Sequence, residues 1–238
     1  MSGATSRWRL RIFEALDSTQ SLVSGLAEAG EPEGLAVMAR RQTAGRGREG
    51  RSWEGPSGNL ALSVLLRPGG PARDLPQYGL LAAVALHEAA SHHAPGLSLK
   101  WPNDLLRDGA KCAGILAEGA VDGQGGIAHL VLGLGVNLAH APEVPGRSTA
   151  ALGPTPPEEF ARTLLAALEA WMFRRRLEGF APVRAAWEAA GPVRGEMLTL
   201  RQGSGTVSGR YEGLAEDGGL MLATGGRVHR FLAGEVGD

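Results

Sequence analysis

The segment "GRGREGRSW", Gly45–Trp53, decides whether this chain has a dinucleotide-binding fold. Its glycines Gly45, Gly47 and Gly50 match the pattern G-x-G-x-x-G, in which a strand passes through the glycines directly into a helix. The apolar run "GLAVMAR" predicts the strand, but "EGPSGN" puts proline and glycines where the helix would begin. The pattern therefore fails in context, and the sequence also lacks a G-x-x-x-x-G-K-[ST] phosphate loop.

The same segment reads better as a basic loop between two strands. Arg46, Arg48 and Arg51 repel one another and the glycines leave the backbone free, so we expect the empty loop to be weakly ordered. A ligand with several anionic groups would order it by accepting hydrogen bonds from guanidinium and backbone N–H groups. A solvated surface loop and an Arg/Gly patch that binds RNA remain open as alternatives.

The composition limits the classes of protein to which the chain can belong. Its 238 residues suffice for one large domain, or for one large and one small domain. The formal net charge of −1 gives no chain-wide nucleic-acid footprint, so any basic site must be local. The single cysteine, Cys112, fits a reducing compartment, and the sequence shows no apolar signal core and no membrane-length run. We predict a cytoplasmic protein that does not associate with a membrane.

Hydrophobic spacing predicts an α+β order of elements. A strand over 8–16 is followed by a helix to about residue 29, for which Asp17, Ser18 and Thr19 supply the cap. Thr155-Pro156-Pro157-Glu158 reads as a capping box with proline at the first helical position. The other predicted strands are 34–40, 59–68, 97–101, 112–121 and 127–138, and the other helices are 76–93, 155–177 and 180–190, the last burying Phe180, Val183 and Trp187.

The pattern changes near Gly195, where short strand-like runs are separated by "GSG", "DGG" and "TGG". Such a pattern is typical of a small all-β unit. We therefore divide the chain into residues 1–190 and residues 191–238.

The segment "KWPNDLLRDGAKCAGIL" contains both lysines of the chain, Lys100 and Lys111, among 24 basic residues. An ammonium is a compact point charge and a guanidinium is a wide planar fork, which favours sites that have room only for the former. Chance placement of two residues gives the same pattern. The letters P-N-D predict a turn between two strands, with a return strand that begins near Lys111. Such a hairpin would bring Lys111 close to Asn103 and Asp104, although ordinary turn residues and a surface charge give the same pattern.

Neutral polar residues form a third group. The motif "GLGVN", Gly133–Asn137, has glycines inside a buried strand, which usually mark a close backbone approach. Asn137 then holds a ligand or a metal, or caps the strand. Gln42 and the run Ser18-Thr19-Gln20 add donors and acceptors, but a strand-end residue and a helix cap are the simpler interpretations of these residues.

Together these motifs resemble those of the biotin protein ligases, over nearly the whole chain. The family motif G-R-G-R-x-G-R-x-W is matched at 45–53, K-W-P-N-D at 100–104, K-x-A-G-I-L at 111–116, G-x-G-[IV]-N at 133–137, and S-T-N at 18–20. The chain departs from the family at Gln20, which replaces Asn, and at Glu49, where many relatives have a third basic residue. These departures bear on affinity and on retention of the intermediate.

The resemblance implies a catalytic α+β domain of the class II synthetase and biotin–lipoate ligase type, with a mixed sheet backed by helices, over 1–190. It implies a C-terminal SH3-like β-barrel over 191–238. The implied activity forms biotinyl-5′-AMP from biotin and MgATP, and then transfers biotin to a lysine of biotin carboxyl carrier protein. Few residues precede Ser18, so we expect the ligase-only form without the DNA-binding domain of some relatives. A lipoate or octanoate ligase or transferase of the same fold is the nearest alternative, and an RNA-binding module is the alternative from another class.

The resemblance also implies residue roles, ligands and partners. It makes Lys111, Arg46, Arg48 and Asp104 catalytic, with Asp104 orienting or deprotonating the acceptor lysine. The implied biotin-binding residues are Ser18, Thr19, Gln20, Gln42, Arg46, Gly47, Arg48, Lys111 and Gly114. The implied ATP or adenylate residues are Arg46, Arg48, Arg51, Trp53, Asn103, Lys111 and Asn137, with 138–152 covering the adenine. Mg²⁺ is expected on the substrate phosphates, with Asn103, Asp104 and Asn137 as candidate ligands. The expected partners are the carrier protein and a second copy of the chain, and no DNA.

Overall fold

Twelve strands and four α-helices form the part of the chain that the computed structural model describes, residues 7–53, 55–203 and 205–237. The strands are β1 Arg9–Phe13, β2 Leu35–Ala39, β3 Leu60–Leu66, β4 Leu97–Lys100, β5 Asp104–Arg107, β6 Ala110–Val121, β7 Ile127–Val136, β8 Met197–Gln202, β9 Gly205–Leu214, β10 Leu220–Thr224, β11 Arg227–Phe231 and β12 Glu235–Val236. The helices are α1 Thr19–Glu28, α2 Leu75–Ser91, α3 Pro157–Glu178 and α4 Ala181–Ala190.

The first seven strands form one mixed sheet, in the order β1-β2-β3-β7-β6-β5-β4. β1 and β2 are parallel and are joined through α1, whereas every other neighbouring pair is antiparallel. The expected mixed sheet with helices is therefore confirmed.

Helices cover both faces of this sheet. All five residues of β2 are buried. Leu35 and Val37 belong to the apolar cluster that includes Val23 of α1. Ala36 and Met38 belong to the larger cluster formed with α2 and α3. Because side chains alternate along a strand, α1 lies on one face of the sheet and α2 with α3 on the other.

The last five strands form a second, antiparallel sheet in the order β11-β10-β9-β8-β12. The glycine-rich breaks act as turns, and Gly225 and Gly226, both with positive φ, join β10 to β11. Leu200 and Leu222 of this sheet belong to the same large apolar cluster as α2 and α3. The small sheet is thus packed firmly against the body of the protein. An SH3-like barrel stays a prediction.

Two expectations about local structure are wrong. The return strand of the hairpin starts at Asp104 and not near Lys111, because β5 lies between the two expected strands. The missed signal is Asp108-Gly109, both with positive φ, which forms a two-residue turn between β5 and β6. β4, β5 and β6 therefore form a meander.

The capping box at the start of α3 is also wrong. Pro156 occupies the cap position without a side-chain hydrogen bond, and Pro157 is the first helical residue. The Thr155 hydroxyl lies one residue too early to cap the helix, and it contacts His93 Nδ1 at 3.1 Å instead. At α1, in contrast, Ser18 is the cap as expected, since its hydroxyl accepts from the Ser21 N–H. Of the helices in the described segments, none is long and apolar enough to cross a membrane.

Candidate active site

A cavity of about 520 Å³ lies on the α1 side of the large sheet, and the strand register forms its floor. Ala61, Gly135, Gly114 and Asp104 lie side by side across β3, β7, β6 and β5. The glycines keep the floor low, since a Cβ on Gly135 would lie 2.3 Å from the indole of Trp53. The close approach that we expected at this strand end is therefore made by the indole ring of Trp53, which packs against the backbone of Gly135. A cavity of this size suits a small organic ligand.

A buried ion pair stands at one end of the floor. Lys111 Nζ lies 2.5 Å from Asp104 Oδ1, and the two side chains are only 15% and 11% exposed. Burial lowers the pKa of Lys111, while the charge of Asp104 and its hydrogen bond oppose that change. The lysine backbone is fixed as well, since its N–H donates to Ser148 and its carbonyl accepts from Ala150. The site therefore holds a well-positioned ammonium group.

Neutral polar groups line another part of the cavity. Thr19 Oγ1 lies 2.9 Å from Ser63 Oγ and 3.1 Å from Gln42 Oε1, which also accepts from the Thr19 N–H. Ser63 Oγ donates to Gln20 Oε1 at 3.1 Å. Thr19, Gln20 and Ser63 are buried, so this cluster offers donors and acceptors without formal charge.

Each arginine of the loop has its own acceptor, which offsets the expected repulsion. Their side-chain partners are Glu118 for Arg46 at 2.6 Å, Asn103 for Arg48 at 3.0 Å, and Glu235 for Arg51 at 3.1 Å. Backbone bonds from Gly47 N–H to Arg51 and from Trp53 N–H to Gly45 close the loop on itself. Gly45 must be glycine, because a Cβ there would lie 2.4 Å from the Trp53 carbonyl oxygen.

Glu235 of β12 connects the small sheet to this site. It also accepts a hydrogen bond from Arg147, which lies in the segment after β7. Burial alone would raise the pKa of Glu235, but the hydrogen bonds and charges of Arg51 and Arg147 outweigh it and lower that pKa. The hydrogen bond between Arg51 and Glu235 also raises the pKa of Arg51. One carboxylate thus joins two cationic segments at the cavity.

The segment after β7 forms another wall of the cavity. Asn59 Oδ1 accepts the backbone N–H groups of Leu138, Ala139 and His140 at 3.0 to 3.1 Å, which fixes the start of this segment. Asn137 donates through Nδ2 to the Ala150 carbonyl, whereas its buried Oδ1 has no partner among the described residues. An acceptor in that state is suited to a ligand donor or to a hydrated cation.

The cavity brings together every residue to which the resemblance gave a catalytic or binding role. They are Ser18, Thr19, Gln20, Gln42, Arg46, Gly47, Arg48, Arg51, Trp53, Asn103, Asp104, Lys111, Gly114 and Asn137. Lys100 is not among the cavity-lining residues. Their individual roles stay predictions.

Sequence reasoning did not single out Ser63 and Glu235, which line the cavity, or Glu118, which accepts hydrogen bonds from Arg46 and Gln20. Arg147, another lining residue, lies within the predicted segment 138–152. Ser63 and Glu118 each stand as a lone polar residue within an otherwise apolar run, which is a usable signal. Glu235 gives no such signal, because its partners lie far away along the chain. Cys112 lies beside the site, but burial raises its pKa to about 12, so its thiol is unsuited to act as a nucleophile.

Comparisons with known proteins agree on one family. Residues 12–137 match the model of the biotin/lipoate A/B protein ligase family. The chain is 40% identical to a biotin--[acetyl-CoA-carboxylase] ligase of Paracoccus denitrificans over 199 residues, 78% of this chain and 82% of that protein. It is 32% identical to the bifunctional ligase/repressor BirA of Bacillus subtilis over 94% of this chain and 72% of that one. The structure of a biotin protein ligase from Aquifex aeolicus in complex with biotin and ATP superposes with a TM-score of 0.80 at 29% identity, covering 96% of this chain and 97% of that one.

Proposed function

Because this chain belongs to the biotin/lipoate A/B protein ligase family, we propose that it is a biotin protein ligase. It activates biotin with ATP and transfers the biotinyl group to an acceptor protein. The observation that carries this proposal is a single cavity in which a neutral hydrogen-bonding cluster and a buried ammonium occur together. Biotin has the matching polarity, since its ureido ring is neutral and its valeryl tail ends in a carboxylate.

In the first step, a biotin carboxylate oxygen attacks the α-phosphorus of ATP, a new P–O bond forms, and the bond to pyrophosphate breaks. Negative charge concentrates where the carboxylate meets the phosphate. We assign Lys111 to stabilising this negative charge, because its ammonium group is fixed in the cavity. The loop that carries Arg46, Arg48 and Arg51 lines the same cavity. Cations fixed in advance at the position of developing charge lower the barrier. Trp53, Asn103 and Asn137 are proposed to contact the nucleotide.

In the second step, an acceptor lysine amine attacks the acyl carbon, the C–O bond to AMP breaks, and the amine loses a proton. Asp104 is the carboxylate of the cavity that we assign to orienting or deprotonating that amine. One of its oxygens already accepts from Lys111. A change at Asp104 is therefore expected to affect the first step as well, through Lys111.

The neutral cluster favours biotin over lipoate. Thr19, Gln20, Gln42 and Ser63 present hydroxyl and amide groups toward one end of the cavity. The ureido ring both donates and accepts hydrogen bonds, so it can add to those that the cluster already makes within itself. A dithiolane ring would exclude water from the same polar groups without offering a hydrogen bond in return, which penalises the wrong ligand.

Mg²⁺ is proposed to arrive with ATP, held chiefly by the phosphates. The described residues contain no group of three or more His, Cys, Asp or Glu that could hold a metal ion. Of the three candidate ligands, Asn137 has an unpartnered buried oxygen, while Asn103 Oδ1 accepts from Arg48 and Asp104 pairs with Lys111. Asn137 is therefore the residue that fits the ion, which would neutralise phosphate charge when bound.

The remaining expectations are kept as proposals. The acceptor is a biotin carboxyl carrier protein of acetyl-CoA carboxylase, which the name of the Paracoccus relative supports. A cytoplasmic location is supported by the lone, buried cysteine. The separate antiparallel sheet supports a second unit over 191–238. Homodimer formation is measured by sedimentation velocity of the protein with and without biotin and ATP.

The test is formation of the adenylate. The purified protein is mixed with radiolabelled ATP and biotin, or with lipoate as the control substrate, and acyl-AMP is separated and counted. We expect biotinyl-AMP and pyrophosphate with biotin, and little product with lipoate or with Lys111→Ala. Subsequent addition of a carrier domain should release AMP. Equal products from both acids, or product from Lys111→Ala at the wild-type rate, would refute the assignment.

A further inference from the structure

The side chain of Glu118 joins two parts of the cavity that the proposed mechanism treats separately. Its Oε1 accepts from Arg46 Nη2 of the arginine loop at 2.6 Å. Its Oε2 accepts from Gln20 Nε2 at 2.9 Å. Gln20 in turn accepts from Ser63, which contacts Thr19. A continuous row of hydrogen bonds therefore runs from the loop into the neutral polar cluster.

The position of Glu118 follows from the sheet register. Glu118 of β6 lies opposite Val131 of β7, and Leu116 lies opposite Gly133. Because side chains alternate along a strand, Glu118 points to the same face as Leu116 and Gly114, which is the face of the cavity floor. Glu118 lies in β6, which is paired with β7 at this position, whereas Arg46 is 46% exposed on a loop. Glu118 thus gives a loop arginine an anchor on the sheet. Only one of the guanidinium N–H groups is used in this bond, which leaves the others for a ligand.

A carboxylate suits this position for a simple reason. Both partners, a guanidinium and an amide NH₂, are donors, and an ionised carboxylate offers two accepting oxygens. A glutamine there has one accepting oxygen, so either orientation of its amide turns an NH₂ group toward one of the two donors. The pair itself adds little to stability, since Arg46 and Glu118 are both partly exposed.

We propose that Glu118 is a positioning residue for biotin, which holds Arg46 at the cavity and couples it to the polar cluster through Gln20. The proposal rests on the proposed function, because it takes the ligand of the cluster to be the ring of biotin. Binding at the cluster then favours the loop position in which Arg46 meets the carboxylate end of the same molecule. Gln20 completes this connection, since its Nε2 donates to Glu118 and its Oε1 accepts from Ser63.

The experiment compares wild type with Glu118→Gln, Gln20→Met and the double variant. Biotin affinity is measured by titration calorimetry, and KM values for biotin and ATP are measured in adenylate formation. We expect Glu118→Gln to raise the Kd for biotin about threefold, within the range of a partly exposed ion pair, and to raise KM for ATP less than KM for biotin. Gln20→Met should weaken binding less in the Glu118→Gln background than in wild type, since the connection is already broken.

The control is Glu178→Gln, which removes the carboxylate of another partly exposed pair, with Arg174 on α3. It should match wild type in every assay, and both it and Glu118→Gln should keep the wild-type melting temperature. Wild-type biotin affinity in Glu118→Gln, additive effects of the two changes, or equal losses in both KM values would each overturn the proposal. Failure of the wild-type protein itself to bind biotin would instead overturn the proposed function.

Discussion

The two sources of positive charge at this cavity are built differently. Lys111 extends from a strand, is 15% exposed, and has both its backbone groups and its ammonium fixed by neighbours. Arg46 and Arg51 extend from a loop, are 46% and 42% exposed, and are held by carboxylates that belong to distant strands. The lysine is fixed by the sheet, whereas these two arginines extend from a loop and are held through their side-chain ion pairs.

The difference assigns separate tasks to the two regions. A group fixed in advance loses no further freedom when charge develops, which is the condition for strong stabilisation of a transition state. A loop whose ion pairs are weak and exposed can change partners at small cost. We therefore expect changes on the sheet to reduce the rate severely, and changes around the loop to act mainly on binding.

The largest effect is expected for Lys111→Arg. Charge is kept, but a planar guanidinium replaces a compact ammonium between Asp104 and the reacting groups. A displacement of about 1 Å can cost about a hundredfold in rate, so we expect adenylate formation to fall by at least that much. Single-turnover formation of biotinyl-AMP measures it.

Lys100→Arg is the matched control, since Lys100 lies in the same motif but does not line the cavity. It should reduce the rate only slightly, and both variants should unfold at the wild-type temperature. A near wild-type rate in Lys111→Arg would show that charge alone matters at that position, and the contrast between the regions would then be lost.

The second effect concerns pH. Activity requires the Lys111 ammonium, whose pKa is lowered from 10.5, so the rate should fall as pH rises through that lowered value. Asp104 raises the pKa of Lys111, and Asp104→Asn removes that effect. The alkaline limb of the adenylation rate should therefore move to lower pH in Asp104→Asn. An unchanged or oppositely shifted limb would contradict the assignment of this limb to Lys111.

Asp104→Asn should also slow the transfer of biotin to the carrier protein, and by a larger factor than it slows adenylate formation.

A smaller effect is expected for Glu235→Ala. This carboxylate joins Arg51 of the loop to Arg147 of the other wall, and both contacts are partly exposed. We expect KM for ATP to rise about threefold, within the range of partly exposed ion pairs, with little change in the single-turnover rate at saturation. Glu212→Ala on β9 serves as the control. A large loss of rate at saturating ATP would place Glu235 in the chemistry rather than in loop positioning.

The smallest effect is expected in limited proteolysis. Trypsin should cleave after Arg46, Arg48 and Arg51 in the absence of ligands, and biotin with MgATP should slow this cleavage about twofold by stabilising one loop position. Cleavage at Arg174 and Arg176 on α3 provides the internal reference. Loop cleavage at the same rate with and without ligands would argue against a loop that responds to them.

Much of the cavity could be predicted because its residues lie in short, distinctive motifs. The run "KWPND" and the glycine–arginine loop place charged and small residues at strand ends, where sites form. The sheet register, which the sequence does not show, then brings Gly114 beside Gly135 and Asp104 beside Gly114. These are local patterns that a single sequence shows.

The parts that were missed depend on partners far apart in sequence. Glu118 lies 72 residues from Arg46, and Glu235 lies 184 residues from Arg51. Such pairs are brought together by the strand order of the two sheets. The spacing of residues along the sequence does not show that order, so it could not predict these contacts. β5 was missed for a different reason. The turn Asp108-Gly109 was present in the sequence, but it was read as part of the loop before Lys111.

Hydrogen exchange with and without biotin and MgATP tests the contrast between the two regions most directly. We expect added protection in residues 43–53 and 138–149, the two segments that the ligands would hold. We expect little change in the amides of β6 and β7, which are already paired with each other in the sheet. Added protection spread over β6 and β7, with the two segments unchanged, would contradict a preformed sheet and a ligand-held loop.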